Sequence, residues 1–289
     1  MLGSSMQLNT NCVTRFAPSP TGRLHLGHAY SAMLSHDLAR SNSGQFLLRI
    51  EDIDQGRCRA EFVDSILEDL RWLGLNWDAD VVCQSDRSEA YENALHHLID
   101  LGLVYKCWCT RAEIAAQAAS APQGAQRLYP GTCRHRSDAS PDALPFAWRL
   151  DVQAALGRTG PLFWQDQNAG RVRAQPEVLG DVIVARKDAG TSYHIAVVVD
   201  DAWQGVTDIV RGSDLFDSTH IQRLLQAVLD LPTPLYHHHP LVLDAEGGRL
   251  AKLRGSIAIA DLRAEDVNPS DLMAALRLGH LPDGYGLSD

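Results

Sequence analysis

Short apolar runs alternate with apolar positions at helical spacing along the first hundred residues, and that alternation predicts the architecture. Residues 13–16 (Val-Thr-Arg-Phe) and 45–50 (Gln-Phe-Leu-Leu-Arg-Ile) read as strands. Between them, Ala29, Met33, Leu34 and Leu38 follow a helical period from His28 to Arg40, and Ser41-Asn-Ser-Gly44 ends that helix. A second helix runs from about Arg59 to Leu73, with Phe62, Val63, Ile66, Leu67, Leu70 and Leu73 on its apolar face and Gly74 as C-cap. A third begins near Ser85-Asp86, where Glu89 completes a capping box with Asp86, and ends at Gly102; Tyr91, Leu95 and Leu98 are its apolar positions. Strands alternating with helices predict an α/β fold, a parallel sheet with helices on both faces. Its ligands belong at the carboxyl ends of the strands, where the loop after the first strand and Glu51-Asp52 both lie.

From residue 105 to about 180 the texture changes to Ala, Gln, Arg, Pro and Gly, and this stretch reads as an insertion rather than sheet. The α/β pattern resumes with strands at 181–185 and 194–199. A helix from about Ser218 to Leu229 then presents Ile221, Leu224, Leu225, Val228 and Leu229. One short helix follows Ser270. The expected division is 1–104 and 181–240 as two halves of one domain, 105–180 as the insertion, and 241–289 as a basic loop with a short helical region.

Composition narrows the function classes. With 36 acids against 26 bases, the net charge of −10 argues against broad nonspecific nucleic-acid binding, which must neutralise many phosphates. A local patch at Arg127, Arg134, His135 and Arg136 leaves room for a restricted RNA footprint. No run approaches the roughly 18 apolar residues of a membrane span. The N-terminus has no basic region followed by an apolar core, so a cytoplasmic location is expected. Cys107, Cys109 and Cys133 cluster while Cys12, Cys58 and Cys83 are scattered, which suits a metal site plus free thiols better than a disulfide framework. Three thiols suit zinc, which takes four ligands in a closed structural site, and spacing alone nominates His135 as the fourth.

The densest chemistry lies in Arg15-Phe-Ala-Pro-Ser-Pro-Thr-Gly-Arg-Leu-His-Leu-Gly-His28 and in Arg49-Ile-Glu-Asp-Ile-Asp54. A loop opening into a helix offers free N–H groups and a dipole to an anion. His25 and His28 can donate to phosphate oxygens or simply cap the helix. Arg15 can take a side-chain carboxylate bidentately and Glu51 an α-ammonium group, or both can be solvated surface charges. His237-His-His239 cannot aim three rings one way and reads as structural, and the pairs Asp52/Asp54 and Asp200/Asp201 read as hydrogen-bonding groups at the site rim.

This block resembles the ATP-binding signature of class I aminoacyl-tRNA synthetases, with His25-Leu-Gly-His28 in place of the HIGH tetrapeptide, and over its full length the glutamate-specific branch. The resemblance implies a Rossmann-like, doubly wound parallel sheet with an inserted zinc-binding subdomain. It implies ATP contacts at His25, Gly27, His28 and Lys252, with His25, His28 and Lys252 catalytic. Glutamate contacts follow at Arg15, Phe16, Ala17, Pro18, Ser19, Glu51, Tyr193 (in Thr191-Ser-Tyr-His194) and Arg211 (in Asp208-Ile-Val-Arg-Gly-Ser213). Read from its neighbours alone, Tyr193 is a strand aromatic. The family pattern makes Tyr129, through Tyr-x-x-x-Cys133, the fourth ligand of one structural zinc with Cys107, Cys109 and Cys133. Arg249-Leu-Ala-Lys-Leu253 stands where the family carries KMSKS, with only Lys252 retained.

The resemblance covers about residues 13–260, and little follows where full-length glutamyl-tRNA synthetases carry an anticodon-binding domain. That combination is similar to the glutamyl-queuosine tRNA(Asp) synthetase family. It implies a monomer using L-glutamate, ATP with Mg, and tRNA(Asp) carrying queuosine at the wobble position, away from membranes. The rivals are a compact glutamyl-tRNA synthetase charging a 3′ end, a non-catalytic paralogue that binds glutamate or a nucleotide, and glutaminyl specificity, which Arg15 disfavours.

Overall fold

The computed structural model describes residues 12–119, 128–136, 145–186, 190–248, 250 and 257–288. In chain order these form β1 (Val13–Phe16), α1 (Leu26–Ser41), β2 (Gln45–Ile50), α2 (Ala60–Trp72), β3 (Val82–Cys83), α3 (Ser88–Asp100), β4 (Val104–Cys107) and α4 (Arg111–Ala119). There follow β5 (Ala147–Leu150), α5 (Val152–Thr159), β6 (Phe163–Asp166), β7 (Gly170–Arg173), β8 (Ile183–Arg186), α6 (Tyr193–Trp203), β9 (Asp208–Gly212) and α7 (Phe216–Val228). Last come β10 (Leu235–His239), β11 (Val242–Asp244), α8 (Ile259–Ala264), α9 (Pro269–Arg277) and β12 (Tyr285–Leu287). The chain divides into two compact units. One comprises Met1–Cys83, Gly205–Ser213 and Pro234–Asp289, the other Gln84–Gln204 and Asp214–Thr233.

The first unit holds the Rossmann-like core. β1 pairs with β2, β2 with β3 and β9 with β10, all parallel. Thr207 joins the two sets: its N–H donates to Val13 O at 2.9 Å and its carbonyl accepts from Leu235 N at 2.9 Å. Phe46, Leu48 and Ile50 of β2 share one core with Ala29, Ala32 and Met33 of α1 and with Ile66 and Leu70 of α2. The turn into β2 needs Gly44, because a Cβ there would lie 1.9 Å from the Cys12 carbonyl oxygen that Gln45 N–H bonds.

The second unit departs furthest from the sequence pattern. Residues 105–180 hold strands as well as loops: β4 pairs antiparallel with β5, and β6 with β7 forms an antiparallel hairpin, while β8, which pairs with β5, falls on the expected strand at 181–185. β4, β5, β6 and β7 are each four residues long, too short for alternation to establish a period. The expected strand at 194–199 is helix α6. Its β-branched run (His-Ile-Ala-Val-Val-Val) favours strand locally, but burial and a charged tether override that preference. Fully buried Asp200 accepts from Gln84 Nε2 (2.9 Å), Arg87 Nε (2.6 Å) and Tyr91 Oη (2.7 Å), tying α6 to α3. Asp200 and Asp201 are therefore interior groups, not rim groups. The capping box at Asp86 is also absent: 84–87 form a 3-10 turn, and α3 starts after Arg87 with no side-chain cap.

Candidate active site

The loop from Ala17 to Leu24 runs across the ends of β1 and β2, with Pro18 and Pro20 buried and Ser19 exposed. Pro18 O accepts Glu51 N–H at 3.0 Å and Pro20 O accepts Arg59 N–H at 3.1 Å, so the loop is stitched to the residues that follow β2. The loop ends at His25, the N-cap of α1. His25 Nδ1 accepts Gly27 N–H and His28 Nδ1 accepts His25 N–H, each at 3.2 Å, with the rings 3.8 Å apart. The histidines thus do cap the helix. Because Nδ1 is an acceptor in both, the neutral rings carry their proton on Nε2, a donor suited to an anionic oxygen. Capping therefore engages Nδ1 of each ring rather than Nε2.

Arg15 and Arg211 are buried on neighbouring strands of the same unit. Arg15 Nη1 donates to Val210 O at 3.5 Å, one residue before Arg211. Arg211 Nε donates to His238 Nε2 at 3.1 Å, and its guanidinium lies 5.2 Å from the Tyr236 ring centre. Glu51 is buried just beyond β2, with Arg49 Nη2 3.4 Å from Oε1. Arg15 lies in the second half of β1, Arg211 in that of β9 and Glu51 just past β2, so two buried guanidinium groups and one buried carboxylate sit toward the carboxyl ends of these strands, where an open α/β sheet presents ligand groups. Tyr193, by contrast, belongs to the second unit and opens α6 rather than sitting in a strand. Arg49 and His238 support these groups and were not singled out from sequence. Their signal was only adjacency to Glu51 and membership of the histidine run.

That run is structural, each ring engaged differently along β10. His237 Nε2 lies 2.8 Å from Asp208 Oδ1, and His238 accepts from Arg211. His239 Nδ1 lies 2.8 Å from Pro240 O and its Nε2 3.0 Å from Ser31 Oγ. Arg249, Ala251, Lys252 and Leu253 lie outside the described residues. Ala258, just beyond them, is bridged to His25, and Ile259 N–H bonds Leu24 O at 2.9 Å.

In the second unit the ligand atoms of Cys107, Cys109 and Cys133 lie within 4.8 Å of one another, with Cys109 Sγ and Cys133 Sγ 3.5 Å apart. Tyr129 completes the group: its Oη is 3.3 Å from Cys107 Sγ, 3.7 Å from Cys109 Sγ, and accepts Cys133 N–H at 2.8 Å. His135 is exposed and outside the cluster. Arg149 stacks 3.8 Å from the Tyr129 ring centre, a cation that favours negative charge on the phenol oxygen. Burial pushes the Cys109 thiol up to about 12 and raises the Tyr129 phenol. Cys133 sits below the ordinary thiol value: burial opposes this, but hydrogen bonds from Tyr129, the Trp108 N–H, Cys109 and Cys107 outweigh it. Of the expected basic patch, Arg134 is committed to Asp181 (Nε 2.9 Å, Nη2 2.6 Å), and Arg127 lies outside the described residues.

A family model of class I tRNA synthetases (E and Q), catalytic domain, matches residues 11–284. A relative from Rhodobacter capsulatus named glutamyl-Q tRNA(Asp) synthetase is 48% identical over 278 residues, covering 92% of this chain and 100% of the relative. The chain belongs to the class I glutamyl- and glutaminyl-tRNA synthetase family, on its glutamyl-Q tRNA(Asp) synthetase branch. A second such relative, from Nocardia farcinica, is 45% identical, covering 91% of this chain and 82% of its own length. A glutamate–tRNA ligase from Citrifermentans bemidjiense is 38% identical, with 92% of this chain but only 56% of that ligase covered. Among solved structures, the glutamate-tRNA synthetase of Elizabethkingia anophelis superposes with a TM-score of 0.70 at 25% identity, over 88% of this chain and 54% of that one. The synthetase fold is thus shared, and the described part of the chain contains no helix long and apolar enough to cross a membrane.

Proposed function

We propose that the chain activates L-glutamate with ATP and transfers it to the queuosine base at the wobble position of tRNA(Asp). The observation that carries this reading is 48% identity, over the whole length of the relative, to a glutamyl-Q tRNA(Asp) synthetase, together with two buried arginines and a buried carboxylate in the same unit. Glutamate carries two carboxylates and one ammonium group. The guanidinium groups of Arg15 and Arg211 match the former and Glu51 the latter. The Phe16–Ser19 segment would wall the side chain, and Tyr193 would add a hydroxyl contact.

In the first step an α-carboxylate oxygen attacks the α-phosphorus of ATP, which is brought in with Mg, and pyrophosphate leaves. Nε2–H of His25 and of His28 would donate to phosphate oxygens as charge builds on them, Gly27 allowing close approach. Lys252 would neutralise the leaving pyrophosphate. In the second step a hydroxyl of the queuosine cyclopentenediol attacks the mixed-anhydride carbonyl. An ester forms, the carbonyl–phosphate bond breaks, AMP leaves, and the hydroxyl proton passes to solvent or phosphate.

Cys107, Cys109, Cys133 and Tyr129 fit one structural zinc ion: three soft thiols and a phenol oxygen converge, all buried but the half-buried Cys109, with a guanidinium against the phenol ring. When bound, the ion would supply folding energy to the loops that carry these residues.

The test is ATP-dependent transfer of labelled glutamate to tRNA(Asp) with and without queuosine. Labelling confined to the queuosine-containing RNA is expected. Equal labelling of both, or labelling of tRNA(Glu), would make this a compact 3′-end synthetase, and no labelling would leave a binding module.

A further inference from the structure

The β6–β7 hairpin of the second unit has two unlike faces. Register sets Phe163 opposite Arg173, Trp164 opposite Val172 and Gln165 opposite Arg171, so strand alternation puts Phe163, Gln165, Arg171 and Arg173 on one face. The inner face is fixed. Trp164 is buried, its indole N–H directed at His220 Nδ1 (3.4 Å) and its ring 4.9 Å from that of Phe216, both on α7. Burial lowers the pKa of His220, in keeping with a neutral acceptor there. Asp166 is also turned inward and buried, its Oδ1 accepting Asn168 N–H (2.9 Å) and Ala169 N–H (2.8 Å) in the hairpin turn.

The outer face is left basic and partly aromatic. Between Val152 and Pro176 the chain has three arginines and one acid, and that acid is the inward-facing Asp166. Arg171 and Arg173 are exposed, with no ion-pair partner among the described residues. The Arg171 guanidinium lies 4.0 Å from the centre of the Phe163 ring, itself 39% exposed, and Arg223 Nε anchors Phe163 O at 3.0 Å. Stacking on Phe163 holds the Arg171 fork without using its outward donors. In a protein of net charge −10, two exposed arginines with no carboxylate partner among the described residues, on one face of a paired ribbon, mark a local footprint for an anion.

We propose that this ribbon is a phosphate-backbone contact for the RNA substrate, with Arg171 and Arg173 each neutralising a phosphate. It rests on the RNA-modifying reading above and adds where that RNA is gripped. Phosphate is the favoured occupant because guanidinium forks match its oxygens bidentately and because the face carries no hydrogen-bonding array for base edges beyond Gln165.

The test is binding of labelled, queuosine-containing tRNA(Asp) to the full chain as salt rises from about 50 to about 200 mM. For R171A/R173A the plot of log affinity against log salt should be shallower by about 0.7–0.9 for each lost contact, with affinity at the lower salt down roughly tenfold or more. R171K/R173K should restore most of the slope, since a lysine also neutralises a phosphate. The thermal midpoint should match the parent's. If R171A/R173A unfolds early, R171Q/R173Q, which keeps a stem over Phe163, carries the test. Parental slope and affinity in the charge-removed variant, or no tRNA binding by the parent, would overturn the ribbon. The functional reading fails separately: a parent that binds tRNA with the expected salt response but transfers no glutamate loses that reading and keeps the ribbon.

Discussion

His28 Nδ1 accepts the backbone N–H of His25 at 3.2 Å, while His25 Nδ1 accepts that of Gly27 at the same distance. The turn that opens α1 is therefore held by the same two rings proposed to face the nucleotide, and the two roles separate by substitution. Asparagine is a good N-cap and keeps an acceptor near Gly27 N–H, but it has no Nε2–H. His25→Asn should unfold close to the parental temperature and lose glutamate-dependent pyrophosphate exchange by about 100-fold, the scale of one lost transition-state donor. His25→Ala should lose the same activity and also about 1 kcal/mol of stability. Parental exchange rates in His25→Asn would reduce the histidine to a cap.

Gly27 gives a second test of the same geometry. A Cβ there would sit 3.1 Å from His25 Cε1 and 3.2 Å from its Nδ1, so the ring must give way by a few tenths of an ångström. Helix propensity alone favours alanine by about 1 kcal/mol. Gly27→Ala should therefore leave thermal stability level or slightly raised while lowering pyrophosphate exchange. A fall in stability without a fall in exchange would show that the strain is relieved away from His25.

The first strands and helices were legible because their apolar positions keep one period over enough residues. β1 and β2 match the expected spans, and α2 runs Ala60–Trp72 against the expected 59–73, with Gly74 at φ 75° just after it. The expectation failed where tertiary contacts outweigh local preference. Tyr193 reads as strand because Ile195, Val197, Val198 and Val199 follow it, yet Asp200 pins that segment to α3 as a helix. β9 was hidden because Asp208, Arg211 and Gly212 interrupt its apolar run. Arg211 is nevertheless buried there, against His238. No local pattern announces a buried arginine; only the motif did.

For the thiol cluster, metal content separates the two candidate fourth ligands. Zinc at about one ion per chain is expected by elemental analysis, and Cys109→Ser should lose it. Tyr129→Phe removes the oxygen that sits 3.3 Å from Cys107 Sγ, so the ion should be surrendered to a weaker chelator than the parent needs. His135→Ala, at an exposed position outside the cluster, should retain metal as the parent does. Loss in His135→Ala with retention in Tyr129→Phe would reverse the assignment. Stripping the metal should lower the unfolding temperature, since ligation free energy is folding free energy in such sites.

Asp69 on α2 supplies a pH signature in the first unit. It is buried, and desolvation pushes its carboxyl up to about 6 against the pull of Arg263, whose Nη2 is 3.6 Å from Oδ1. An unfolded aspartate titrates near 3.8. Between those values the folded state holds a proton that the unfolded state has released, so this group's contribution to stability falls as pH rises from about 4 to about 6, and stays lost above. Asp69→Asn removes the ionisation. Arg263 is not stranded by the change, because its Nη1 also meets Glu68 Oε1 at 2.5 Å. Urea unfolding across this range should thus show a flatter pH dependence for Asp69→Asn. Above pH 6 the variant should be more stable than the parent by on the order of 1–2 kcal/mol. Equal slopes would mean that the carboxylate is solvated or fully compensated by Arg263. A variant less stable at every pH would mean that the ion pair outweighs the cost of burying it.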